Sequence, residues 1–296
     1  MHMSLPALDP PVTLPLCLLL LPLLLLLQLF CRLVSQAVVI NNKLWLIGGW
    51  DSSVSGPEAF LSDIWTLDLE TWAWQQQQLA GNAVLQGISR HQAAAVGQHI
   101  YIHTHRTTDH ILRLDTSVSP PVLGQLPVTG PAPSSRGLHS MVHVNGHLYL
   151  LFGAPQKGPM LDDVYQLDLA SLTWEDLSGK LSGPKPHPRC SAAVAAVGDK
   201  ILVVGGAFYG ASGGLEMLQD AHVLDTSSSS WVVPEVTGQC SDAAAAGGGG
   251  LPSARNAAVM VPLHAGAADG QPQLLLAGGW RAFVETYNDT YLVTVK

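Results

Sequence analysis

The chain has 296 residues, of which 47% are hydrophobic and only 12% charged, about half the usual charged fraction. A net charge of −8 gives no reason to expect nucleic acid or an anionic membrane surface as a partner. The four cysteines, Cys17, Cys31, Cys190 and Cys240, are scattered with no C-x-x-C pair. They form neither a disulfide framework nor a zinc site, and lean toward a reducing compartment.

Residues 1–35 stand apart from the rest. Positions 14–30 are nearly pure leucine, interrupted by Pro15 and Pro22 and uncharged until Arg32. A signal peptide would carry a basic n-region before the leucines, and none is present. A membrane anchor needs roughly 20 apolar residues, which this run only just supplies. The segment therefore reads either as a hydrophobic signal or anchor, or as a gene-model artefact resembling a translated intron end. Membrane association or a secretory route follows only if residues 14–30 are genuine.

From residue 36 the pattern changes to short apolar runs joined by tight turns. Residues 37–40 and 44–47 flank Asn41-Asn42-Lys43, residues 140–144 and 147–151 flank Asn145-Gly146, and residues 192–197 and 200–204 flank Gly198-Asp199. Such turn residues tolerate positive φ and close two-residue hairpins. Each second run enters a glycine pair or its remnant: Gly48 and Gly49, Gly153, Gly205 and Gly206, Gly278 and Gly279. A third run then carries two aspartates five apart, Asp63 and Asp68, Asp163 and Asp168, Asp220 and Asp225. A tryptophan follows six residues after the second aspartate each time, at Trp74, Trp174 and Trp231. A degraded copy runs through residues 100–105 and 112–115. The second glycines stand at 49, 206 and 279, with His105 and Ala154 in the equivalent places, which gives steps of 56, 49, 52 and 73 residues.

With these glycine pairs, acidic positions and trailing tryptophans, residues 36–296 resemble the kelch repeat family, whose period is about 50 residues. The resemblance implies a β-propeller. The hairpins lead to the same all-β architecture, because a four-stranded antiparallel sheet cannot bury both faces alone and radial stacking solves this. Five inner hairpins but four outer strands predict about five blades and an incomplete ring. Its closing strand would have to come from residues 12–20, unless the array is an open piece of a six- or seven-bladed ring. The Ala/Gly run at residues 243–250 reads as a disordered insertion.

Strand parity puts the long connections on one face, and binding is expected there. Arg90, Arg136, Arg189 and Arg255 each precede an inner strand on that side. Four guanidiniums could ring the channel mouth and meet an acidic peptide or carboxylate, as the resemblance also implies. Alternatively, each braces its neighbouring blade. The first repeat is expected to lack this arginine. Phe208, Tyr209 and Phe283 are the aromatic candidates for partner contact, whereas Trp50 and Trp280 directly follow the glycine pair and read as structural.

Twelve histidines raise the question of metal. His103 and His105 share one side of a strand but lack a third ligand, and His91 and His139 fall at a structural kelch position. The Glu-x-x-x-Asp-x-x-x-His iron pattern of some plant kelch proteins is matched by Glu216 and Asp220, but Leu224 replaces the histidine. Asn288-Asp289-Thr290 is an N-glycosylation sequon that coincides with a repeat position. The expectation is a non-catalytic scaffold, without metal or cofactor, that binds a protein or acidic peptide through the long-loop face. A cytoplasmic location is favoured for the propeller. The alternative is a metal-dependent or isomerase-type enzyme using the channel mouth.

Overall fold

The structure is a computed structural model, and it describes residues 32–237, 250–263 and 271–295. The leucine-rich segment through residue 31, including the proposed closing strand at 12–20, and the Ala/Gly run to residue 249 lie outside the described residues. No helix among the described residues is long and apolar enough to cross a membrane.

Among the described residues the strands form five antiparallel blade sheets, each meandering from an inner to an outer edge, and two small two-stranded hairpin sheets. Blade 1 comprises β1 (Arg32–Leu33), β2 (Gln36–Ile40), β3 (Lys43–Asp51), β4 (Phe60–Asp68) and β5 (Trp74–Gln76). Blade 2 comprises β6 (Gln92–Val96), β7 (His99–His103), β8 (His110–Asp115) and β9 (Val122–Pro127). Blade 3 comprises β10 (Ser140–Val144), β11 (His147–Gly153), β12 (Leu161–Asp168) and β13 (Thr173–Asp176). In blade 4, β14 (Ala193–Val197), β15 (Lys200–Val204), β18 (Ala221–Asp225) and β19 (Ser230–Val232) form the sheet, and β16 (Ala207–Tyr209) with β17 (Leu215–Met217) form a hairpin above it. Blade 5 has β20 (Val259–Leu263), β21 (Gln273–Ala277) and β24 (Thr290–Thr294), topped by the hairpin of β22 (Trp280–Arg281) and β23 (Glu285–Thr286). The fold is the expected all-β propeller; its five blades lie in a ring, with four blade-to-blade seams among the described residues.

Alternation along each strand sends side chains to both faces, and in blades 2, 3 and 4 both faces are apolar because a blade lies on each side. The seam between blades 1 and 2 is filled by Ile47, Ile64, Ile100, Ile102 and Leu114. Tyr101, Leu148, Leu150 and Trp174 fill the next, and Leu151, Phe152, Ile201, Val203 and Trp231 the one between blades 3 and 4. Leu202, Val204, Met260, Leu274 and Leu276 pack blade 4 on blade 5. The repeat tryptophans are thus seam residues: Trp174 and Trp231 are buried, with Leu123 in their place in blade 2. Trp74 stands at the same register in blade 1 and is half-buried.

The two aspartates of each repeat have different work. Asp68, Asp168 and Asp225 close the turn to the outer strand: Asp68 Oδ1 accepts the Glu70 and Thr71 amides at 3.0 and 2.9 Å, and Asp168 Oδ1 those of Ala170 and Ser171 at 2.7 and 2.9 Å. Asp63, Asp163 and Asp220 instead accept an arginine.

The glycine pair is a left-handed kink at the end of the second strand, with Gly205 at φ 60° and Gly206 at φ 106°. A Cβ on Gly205 would lie 2.6 Å from the Arg255 carbonyl of the next blade, so a bare backbone lets the blades approach. In blade 3 the same dihedrals fall on Phe152 (φ 61°) and Gly153 (φ 114°). The second-glycine position is therefore Gly153, and Ala154 lies one residue beyond it. There Ala154 pairs with Gly137, as Ala207 pairs with Cys190.

Candidate interaction site on the loop face

Four blades carry one polar clamp. Arg189 donates to the Gly205 carbonyl at 2.8 Å and, through both terminal nitrogens, to the Asp220 carboxylate at 2.7 and 2.8 Å. Arg255 does the same to Gly278 O at 2.9 Å and to Asp289 at 2.5 and 2.9 Å. Arg136 binds Phe152 O at 3.0 Å and both oxygens of Asp163. In blade 1 the arginine is Arg32, bound to Gly48 O at 3.0 Å and to Asp63 at 2.7 and 2.5 Å. The first repeat does have its arginine, although the sequence reading expected none. These bidentate pairs are strong because the planar guanidinium matches the carboxylate. Burial alone would raise the Asp220 carboxyl, but hydrogen bonds from His222 and Arg189 hold it well below the usual range. The Arg255 hydrogen bond similarly lowers Asp289.

Arg136, Arg189 and Arg255 are almost fully buried, so they brace the blades from within. Arg90 is different. Its amide donates to Val34 O at 3.1 Å, its carbonyl accepts Leu138 N at 3.0 Å, and the ladder continues through Ser191 and Ala257 at 2.8 Å each. Val34, Arg90, Leu138, Ser191 and Ala257 are all left-handed, with φ between 51° and 58°. Arg90 is therefore the register partner of Leu138, two residues beyond the clamp, and Ile88 holds the clamp position in blade 2.

This places Arg90 on the loop face. It is exposed, and its guanidinium makes no hydrogen bond or ion pair among the described residues. Its side chain runs over blade 3: a methyl group on Gly137 would lie 3.2 Å from Arg90 Cβ and 3.7 Å from its Cδ. The charge extends toward blade 4. Burial raises the Cys190 thiol, and Arg90 is one of the groups that offset part of that rise. Cys190 belongs to a small apolar cluster with Met160 and Ala207, against which Leu138, Phe208 and Met217 pack. The result is an unpaired cation beside an apolar floor.

Phe208 is half-buried in this floor, its ring 4.1 Å from that of His187, while Tyr209 beside it is exposed. Phe283 is almost fully exposed on the blade 5 hairpin, 5.6 Å from Trp280, and belongs to a separate patch. Of the partner-contact candidates, Arg90 and Phe208 both border the Cys190 cluster, and Tyr209 is the exposed neighbour of Phe208 along β16. The residues missed from sequence are Leu138, Met160 and Met217, which come from different loops with no shared motif.

The histidines lie under this face. His103 Nδ1 and His139 Nε2 are 3.1 Å apart and both residues are buried. Burial pushes His91 down to about 4 and His103 to about 3, and His139 well below its ordinary value with repulsion from His103 and Arg136 adding. All three are neutral imidazoles at neutral pH. His105 is half-buried on the loop beyond. Glu216 pairs with Phe208 across the small hairpin, while the Asp220 carboxylate is taken by Arg189. Among the described residues no group of three or more His, Cys, Asp or Glu is arranged to hold a metal ion.

A kelch motif model matches residues 35–78, and one described as the KLHDC2/KLHL20/DRC7 Kelch-repeats domain matches residues 106–249. The chain belongs to the kelch repeat family. This kelch propeller is 27% identical over 214 residues to Kelch domain-containing protein 3 of Bos taurus, covering 66% of this chain and 54% of that protein. It is 26% identical to Acyl-CoA-binding domain-containing protein 4 of Arabidopsis thaliana over 68% of this chain and 30% of that protein. It is also 32% identical to the flagellar outer arm dynein alpha chain of Chlamydomonas reinhardtii over 58% of this chain, but only 4% of that protein. The matched region thus spans about a third to a half of the first two relatives.

Proposed function

We propose that this kelch propeller is a non-catalytic protein-interaction scaffold that receives an acidic segment or terminal carboxylate of a partner protein on its loop face. Kelch propellers in general support such a role, and the chain is similar over more than half its length to proteins with names of very different kinds. The observation that carries the finer reading is Arg90. The other residues of its backbone ladder are Val34, Leu138, Ser191 and Ala257, so one position out of five holds a cation, and that cation has no described partner. A site usually breaks repeat symmetry, whereas scaffold residues keep it.

Arg90 supplies a fork for a carboxylate, and Leu138, Phe208 and Tyr209 supply the apolar contact beside it. A desolvated carboxylate–arginine pair with an apolar neighbour is a workable anchor. The chemistry asked of the partner is one acidic group with an apolar residue next to it.

The test is selection from a displayed library of random peptides with free C-termini. Enriched acidic peptides should lose most of their binding on Arg90→Ala or Tyr209→Ala and keep it on Trp72→Ala at the opposite end of blade 1. A library without acidic enrichment, or binders indifferent to Arg90, would overturn the reading.

A further inference from the structure

The hairpins that top blades 4 and 5 share a register, and they differ at one pair. Phe208 and Arg281 each stand two residues after the second glycine, Gly206 and Gly279. In blade 5 the residue opposite Arg281 is Glu285. In blade 4 the residue opposite Phe208 is also a glutamate, Glu216. An aromatic ring has therefore taken the place of the base that would face Glu216.

Glu216 is exposed, and its carboxylate makes no hydrogen bond or ion pair among the described residues. The cation nearest to it in the loops is already committed: Lys185, two residues from the His187 ring that meets Phe208, binds Asp162 at 2.8 Å. Gly210 lies on the same side of the hairpin as Phe208 and Glu216, by alternation along the strand. A Cβ on Gly210 would fall 1.7 Å from Glu216 Oε1. The carboxylate thus rests over bare backbone, where any side chain at 210 would displace it. Leu215 and Met217, on either side of Glu216, pack against the Cys190 cluster that Arg90 also borders. One apolar floor carries a free cation and a free anion, and the two do not pair with each other.

We propose that the partner segment carries both charges: its acidic group meets Arg90, an apolar residue covers the floor, and a lysine or arginine reaches Glu216. The inference rests on the acidic-partner reading above and adds the base to it. Glu216 acts as a specificity residue, because a purely acidic segment meets repulsion there while a segment of mixed charge does not. Two poles of opposite sign also fix the orientation of the segment, since reversing it sets base on Arg90 and acid on Glu216.

Peptides enriched on the whole chain should carry a lysine or arginine at a fixed spacing from the acidic residue. One such peptide, and the same peptide with alanine in place of its base, are titrated calorimetrically into wild type and Glu216→Gln. Glu216→Gln should weaken the basic peptide about five-fold, the upper range for an exposed ion pair, and leave the alanine version unchanged. Gly210→Ala should act in the same way with an unchanged thermal midpoint, because the methyl group only moves the Glu216 carboxylate. Acidic peptides that depend on Arg90 but show no base at a fixed spacing would overturn this inference and leave the acidic-partner reading standing. So would equal weakening of both peptides by Glu216→Gln. A selection without acidic enrichment would overturn both readings.

Discussion

The backbone carbonyl of Ile88 accepts the Gly49 amide at 2.8 Å, as that of Arg189 accepts the Gly153 amide at 2.9 Å, so Ile88 holds an arginine's place. Across blade 2 the partner changes with it. By strand register His110 stands where Asp163 and Asp220 stand in blades 3 and 4, and the buried ion pair of the other blades is replaced by an apolar residue and an imidazole. Losing both charges together avoids leaving one buried alone.

That pairing predicts how the clamp responds to mutation. Arg189→Met leaves Asp220 without its fork. The Asp220 side chain is 30% exposed, so the loss should fall at the lower end of the range for broken buried pairs, about 3 kcal/mol. Arg189→Ile combined with Asp220→His reproduces blade 2 and should cost less than the sum of the two single changes. Urea midpoints of the four proteins measure the coupling, and strictly additive losses would contradict it.

Gly183 links blades 3 and 4 with φ 82°, and a Cβ there would lie 2.1 Å from the Trp231 carbonyl. Gly183→Ala therefore forces the backbone apart and should cost at least about 2 kcal/mol. Gly179→Ala, with nothing within 4 Å of the added methyl, should stay within about 0.5 kcal/mol. Equal thermal midpoints for the two variants would refute the close approach.

Acid should weaken the fold before the clamps titrate. His91 and His103 are neutral when folded, at about 4 and about 3, against roughly 6.5 in the unfolded chain. Below pH ~6.5 the unfolded chain binds more protons, so stability is full above that value and falls toward pH 4 by about 1.4 kcal/mol per unit for each such histidine. The depressed carboxylates Asp63 and Asp289 act in the same direction but only below about pH 4. Denaturation at pH 7 and pH 5 isolates the histidines. His91→Leu should flatten the slope between them, and an unchanged slope would exclude His91 as a source.

The fold was legible because its signals are local: turn residues between apolar runs, a kink of two glycines, and aspartates at fixed distances from a tryptophan. The clamp was half legible. Arg136, Arg189 and Arg255 stood out, but their burial depends on an aspartate 27 to 34 residues away, which spacing along the chain does not reveal. Arg32 was hidden by the leucines before it, and Arg90 was read two residues out of register because Ile88 occupies the clamp. Phe152 concealed the first-glycine position of blade 3. Its ring faces the Arg189 guanidinium at 5.6 Å and stacks near Trp231, contacts that a left-handed glycine would not make. The apolar floor beside Arg90 was not legible, since Leu138, Met160 and Met217 meet only once three loops are folded.

The central claim is that Arg90 is a partner-binding residue and not another brace. The most direct measurement is calorimetric titration of a selected acidic peptide into the wild-type chain and Arg90→Ala, with thermal midpoints recorded on the same samples. The account predicts at least a ten-fold weaker affinity for Arg90→Ala and midpoints that agree. An unchanged affinity, or a weaker one accompanied by a lowered midpoint, would contradict it and return Arg90 to the structural arginines.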